Sequence, residues 1–152
     1  FAGGAESSTG DHDQIEYVTI ANKGNTTDFG NLSVARDAFG TLSSTTRGVF
    51  SMGRAASGDY AANVMDYITI ASTGNASDFG DLSSQGTGGG TSNGTKAVFA
   101  FGVEHGFSGD SADTNTIDKV TIASTGNASD FGDTVNADGT IVRGTSDSHG
   151  GL

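Results

Sequence analysis

Thr69-Ile70-Ala71-Ser72-Thr73-Gly74-Asn75-Ala76-Ser77-Asp78-Phe79-Gly80-Asp81 returns without a change at 121–133. A diverged copy opens the chain, where Thr19-Ile20-Ala21, Gly24-Asn25 and Asp28-Phe29-Gly30 hold the same positions. The spacing is about 50 residues, a period that belongs to solenoids, propellers and arrays. A second element keeps step with the first. Arg47-Gly48-Val49-Phe50 matches Lys96-Ala97-Val98-Phe99, and Ser146-Asp147-Ser148-His149-Gly150-Gly151-Leu152 lies in the phase of Ser44-Thr45-Thr46-Arg47-Gly48-Val49-Phe50. The 152 residues thus divide into three units, about 1–49, 50–98 and 99–152, in one repeat domain. Beginning at Phe1, without an initiator Met, the chain reads as a processed product or a fragment.

Each unit has the marks of a small antiparallel sheet. Residues 96–102 are apolar through their centre, as in a strand covered on both faces. Along 65–71, Met65 and Tyr67 fall on one face and Ile68 and Ile70 on the other, so the sheets are expected to stack face to face. Residues 72–75 form a turn in which Gly74, like Gly24 and Gly126 in phase, supplies a positive φ. Phe29, Phe79 and Phe131 are each the large apolar residue of a third strand and are expected to wedge between units. The Gly-, Thr- and Ser-rich stretch 86–94 reads as a flexible loop. Only 34% of the residues are hydrophobic and 25 are Gly, a balance common in disordered chains. The apolar residues are clustered in β-branched and aromatic runs, however, and no stretch keeps a helical period. The chain reads as all-β.

Composition excludes several functions. Seven Lys+Arg against 18 Asp+Glu give a net charge of −11, which is wrong for nucleic acid phosphates. There is no Cys, hence no disulfide, redox dithiol or thiolate metal site. No apolar run is long enough for a helix to span a bilayer, so membrane insertion is not expected. No cofactor motif, nucleophile elbow or phosphate loop is present, and the chain reads as a non-enzyme.

The unit resembles a kelch repeat. An apolar strand ends in small residues at Gly3-Gly4; Tyr17 and Tyr67 sit in the next strand; a Thr-Gly-Asn turn follows at 73–75. Phe29, Phe79 and Phe131 stand where kelch repeats carry Trp. Met52-Gly53 and Phe101-Gly102 depart from the Gly doublet, Lys119 replaces the Tyr, and Gln85 and Asn136 stand where Arg36 matches the family's Arg. The wording of the repeat is similar to kelch-like repeat proteins of marine bacteriophage virions, down to the ending His149-Gly150-Gly151-Leu152. The resemblance implies propeller-type blades in a tail fibre or other virion appendage. Closed propellers take ~4–8 blades, so other copies or further chain would complete a ring. A threefold β-prism or β-trefoil is the alternative. An extracellular adhesin or filament subunit of a microbe is the alternative to the virion module.

Candidate sites fall into two sets. Asp28, Asp78 and Asp130 recur with the repeat and cap a turn through their own backbone, or pair with cations such as Arg47. Glu16, Asp66 and Asp118 form a second acidic phase. His12, between Asp11 and Asp13, reads as solvated loop and not as a zinc ligand. Asp110, Asp113 and Asn115 carry calcium-type ligands without the EF-hand spacing. What does not repeat is the better place for recognition: the loops at 6–14, 54–63 and 103–115 differ in every unit. Within them Tyr60, His105, Phe107 and Asp110 suit a sugar, and they equally suit packing of their own loops. The expected partners are other copies of the chain, neighbouring virion proteins and host-cell glycan. Unpaired edges at the ends of the three units are expected to drive oligomerisation.

Overall fold

The computed structural model describes residues 1–6, 10–37, 40–55, 63–105, 111–113, 115–135 and 144–145. Among them every regular element is a β-strand. The first copy contributes Ala5–Glu6 (β1), Gly10–Asp11 (β2), Gln14–Tyr17 (β3) and Thr27–Asn31 (β4). Then follow Arg36–Asp37 (β5), Gly40–Ser43 (β6), Arg47–Ser51 (β7), Arg54–Ala55 (β8), Val64–Thr69 (β9) and Ser77–Asp81 (β10). The last group is Thr87–Ser92 (β11), Lys96–His105 (β12), Ser111–Asp113 (β13), Thr116–Thr121 (β14) and Ser129–Asp133 (β15).

Two antiparallel sheets follow the same path. One is ordered β10-β9-β7-β6, the other β11-β12-β14-β15 with β13 added beside β12. In the first copy β3 pairs with β4, and Ala2 bridges to Ile15. Short β1 pairs with β2, and β5 with β8.

The faces of these sheets are covered on both sides, and the reason lies in the strand alternation. Met65 and Val49 point toward the third sheet and join Phe79, Phe99, Phe101 and Ile122 in one buried cluster. Phe50 and Ile68 point the other way and join Ile15, Phe29 and Leu32 in a second. Burying one such Phe contributes roughly 1.5–3 kcal/mol. Met52 is fully buried in the larger cluster at φ +67°, in the phase where Gly3 has φ +57°. Its packing offsets the left-handed conformation, which costs roughly 1–2 kcal/mol for a residue with a Cβ.

The stretch at 86–94 is not a loop. Residues 87–92 form β11, hydrogen-bonded along β12. A Cβ on Gly88 would run into the Ala100 carbonyl, and one on Gly90 would meet Phe99 and Leu42. Glycine is needed here because β11 lies between its own sheet partner and the neighbouring β6, close enough for a Cβ on Gly40 to meet Gly89 and Gly90. Gly is depleted in strands on average, but close backbone approach is one of the reasons it occurs in them.

Candidate functional site

The repeated Asp-Phe-Gly forms a β-bulge. The pairing of β9 with β10 slips between Asp78 and Gly80, and the same slip occurs at the other two copies. Phe29, Phe79 and Phe131 are therefore the extra residues, released from the ladder. The bulge glycines take φ +150° (Gly30), +137° (Gly80) and +144° (Gly132). Asp78 Oδ1 accepts the Gly80 N–H at 3.1 Å and Asp130 Oδ1 that of Gly132 at 3.0 Å. These carboxylates hold the bulge, which in turn aims the Phe ring.

The bulged strand receives the turn of the next copy. Gly74 N–H donates to Phe29 C=O at 2.7 Å and Ala76 N–H to Asn31 C=O at 2.8 Å. Asn75 Oδ1 accepts the Asn31 N–H at 3.1 Å. At the second joint Gly126 donates to Phe79 C=O at 2.6 Å, Ala128 donates to Asp81 C=O at 2.8 Å, and Asn127 Oδ1 accepts the Asp81 N–H at 3.1 Å. The turn glycines Gly74 and Gly126 sit at φ +155° and +150°; Gly24, expected to match them, has no positive φ.

The other acidic phase is buried. Asp66 and Asp118 are inaccessible to solvent. Asp66 accepts from the Ser33 N–H at 3.2 Å and its Oγ at 2.7 Å; Asp118 accepts from the Ser83 N–H and Oγ, both at 2.8 Å. Arg36 adds a charge to the first joint only, with Nη2 2.9 Å from Asp66 Oδ2 and bonds to the Phe50 and Val64 carbonyls. Burial pushes the Arg36 guanidinium below its ordinary value, and the Asp66 carboxylate works against that shift. Sequence reading placed these acids in one phase but missed their serine partners. The signal was there, since Ser33 and Ser83 follow the bulge at the same distance. Glu16, in the same phase, is exposed.

Arg47 does not reach Asp28. Its Nη1 donates to the Ile122 carbonyl at 3.0 Å, and its guanidinium carbon lies 4.5 Å from the Tyr67 ring centre. Arg47→Ala removes both a link between sheets and a cation–π contact, and is expected to cost about 1–2 kcal/mol. Arg47→Lys should recover part of that in chemical denaturation.

Two concavities lie among the described residues. An apolar groove of about 500 Å³ runs beside β3, lined among others by Phe1, Tyr17, Phe50, Ile68 and Ile70, with Glu16 as its acid. A polar cleft of about 210 Å³ lies over the last turn, where Lys96 and Lys119 face Ser124, Thr125 and Asn127. The groove suits apolar or aromatic surface. The cleft offers ammonium, hydroxyl and amide groups to a polar ligand. Among the described residues no three His, Asp or Glu side chains are placed to hold a metal. Tyr60, Phe107 and Asp110 lie outside the described residues. The backbone of His105 ends β12. No protein-family model matches the chain, and no curated protein matches it.

Proposed function

We propose that the chain is a non-enzymatic structural module of a bacteriophage virion, a tail-fibre or appendage segment that presents loops to a host receptor or to neighbouring virion proteins. One observation carries the reading. The residues shared between copies are spent on holding sheets together: Asp78 and Asp130 on the bulge, Asn75 and Asn127 on the joint, Asp66 and Asp118 on serines. Such a repeat is scaffold, which leaves recognition to the loops that differ between units. The source as a phage appendage rests on the kelch-like wording of the repeat.

The meander order β10-β9-β7-β6 and the covered faces support a blade-type reading over a β-trefoil. The open faces at the two ends of the stack also suit an extracellular adhesin or filament subunit, the second reading.

The test is binding of the purified protein to host cells and to a glycan array. Tyr60→Ala, Phe107→Ala and Asp110→Asn should each weaken binding by about tenfold or more, as for residues at the centre of an interface, with thermal melting unchanged. Incubation with the bound glycan should release no new reducing ends. Binding indifferent to all three changes, or cleavage of the glycan, overturns the proposal.

A further inference from the structure

The two internal joints bury one set of positions, and the ends of the stack expose the same positions. Phe79 is buried at its joint against Phe99, Val120 and Ile122 of the next sheet. Phe131, in the phase of Phe79, is 59% exposed. Phe1, Val18 and Ile20, in the phases of Phe99, Val120 and Ile122, are 78%, 38% and 96% exposed. The backbone follows the same rule. A Cβ on Gly80 would stand 2.5 Å from the Gly126 carbonyl carbon, whereas one on Gly132 would meet nothing within 4 Å, although Gly132 keeps φ +144°. At the other end Gly24 and Asn25 are exposed. The bulge at one end is thus a formed receptor for a Gly-Asn turn, and the other end carries a Gly-Asn turn.

We infer that copies of this chain dock head to tail, the turn Gly24-Asn25-Thr26 of one copy seating on Phe131-Gly132-Asp133 of another. Phe131 then covers Phe1, Val18 and Ile20 of the second copy, as Phe79 covers their counterparts. Gly24 and Thr26 N–H groups meet the Phe131 and Asp133 carbonyls, and the Asn25 side chain meets the Asp133 N–H. Such a contact is heterologous, so it propagates into a filament or closes into a ring. It differs from the internal joints in a way that sets its strength. Val135 and Glu16 stand where Ser33 or Ser83 meets Asp66 or Asp118, and Thr26 stands where Ala76 and Ala128 do. The contact between copies lacks the buried Ser–Asp bonds and is weaker than the joints within the chain, hence reversible and concentration-dependent.

Two surface variants separate the ends. Ile20→Asp blocks the head, and Gly132→Ala blocks the tail; Phe131→Asp is a second tail block that leaves φ untouched. In sedimentation velocity from micromolar to millimolar concentration, the unaltered chain should grow in mass beyond a dimer. Each blocked variant should remain a monomer over the same range, with its far-ultraviolet spectrum and cooperative melting retained. Mixing the head-blocked with a tail-blocked variant should yield a one-to-one dimer and nothing larger, because a single productive pair of ends remains. An unaltered chain that stays monomeric throughout, assembly that survives either tail block, or a mixture that forms no dimer overturns the inference.

Discussion

Gly80→Ala should be the most damaging single methyl addition in the chain. The new Cβ would lie 2.5 Å from the Gly126 carbonyl carbon and oxygen and 2.9 Å from the Asn127 nitrogen, all backbone atoms of a turn that is itself hydrogen-bonded to the bulge. Neither side yields easily. Moving the turn breaks the bonds from Gly126 and Ala128, and moving the bulge exposes Phe79. Backbone strain at φ +137° adds to this. Strain of roughly 1–3 kcal/mol and overpacking of similar size together give a loss of about 3–5 kcal/mol, a large share of the stability of an ordinary domain. Gly132→Ala is the internal control. It has the same bulge, φ +144° and open space, so only the roughly 1–3 kcal/mol strain remains. Urea denaturation of the dilute monomer should therefore separate the two by about 2 kcal/mol or more. Equal losses would mean that φ, and not the close approach of the turn, governs the position.

That pair of glycines also shows what can be read without coordinates. Identical letters at 69–81 and 121–133 reveal the period, and the apolar alternation around Ile68 and Val98 reveals strands with two covered faces. Asp-x-Gly announces a carboxylate folding back on its own backbone. None of these letters says which copy is last in the stack, so Phe79 and Phe131 look alike in sequence and differ in burial. The glycines of β11 misled for the opposite reason. Propensity records that glycine seldom gains from being in a strand, whereas here it is the neighbouring strand that leaves no room for a Cβ. Arg47 was expected near Asp28 on grounds of charge. It instead spans two sheets to a carbonyl, a reach fixed by the stacking and not by spacing along the chain. Ser33 and Ser83 passed for surface residues because a hydroxyl becomes structural only when a buried carboxylate faces it.

The first joint has an ion pair where the second has none, and this natural difference predicts an asymmetry between its two partners. Asp66→Ala strips Arg36 of its buried counter-charge and Ser33 of two bonds. Arginine stays protonated, so a bare guanidinium remains in a site 1% exposed, and the expected loss is about 3–5 kcal/mol. Arg36→Met leaves Asp66 with Ser33, the arrangement in which Asp118 already sits with Ser83, beside Gln85 and Gly86. A carboxylate held by a serine hydroxyl and a backbone N–H is therefore compatible with this stacking. The methionine also replaces the long stem that packs between the sheets. Its cost should stay near 1–2 kcal/mol, closer to the loss of one charged hydrogen bond than to an orphaned charge. The double variant Arg36→Met/Asp66→Leu should then be more stable than Asp66→Ala alone, because no unpaired charge is left behind. Urea midpoints at neutral pH with unchanged m-values measure all three. Equal losses for Arg36→Met and Asp66→Ala would show that the carboxylate at the first joint depends on the guanidinium in a way that its counterpart at the second does not.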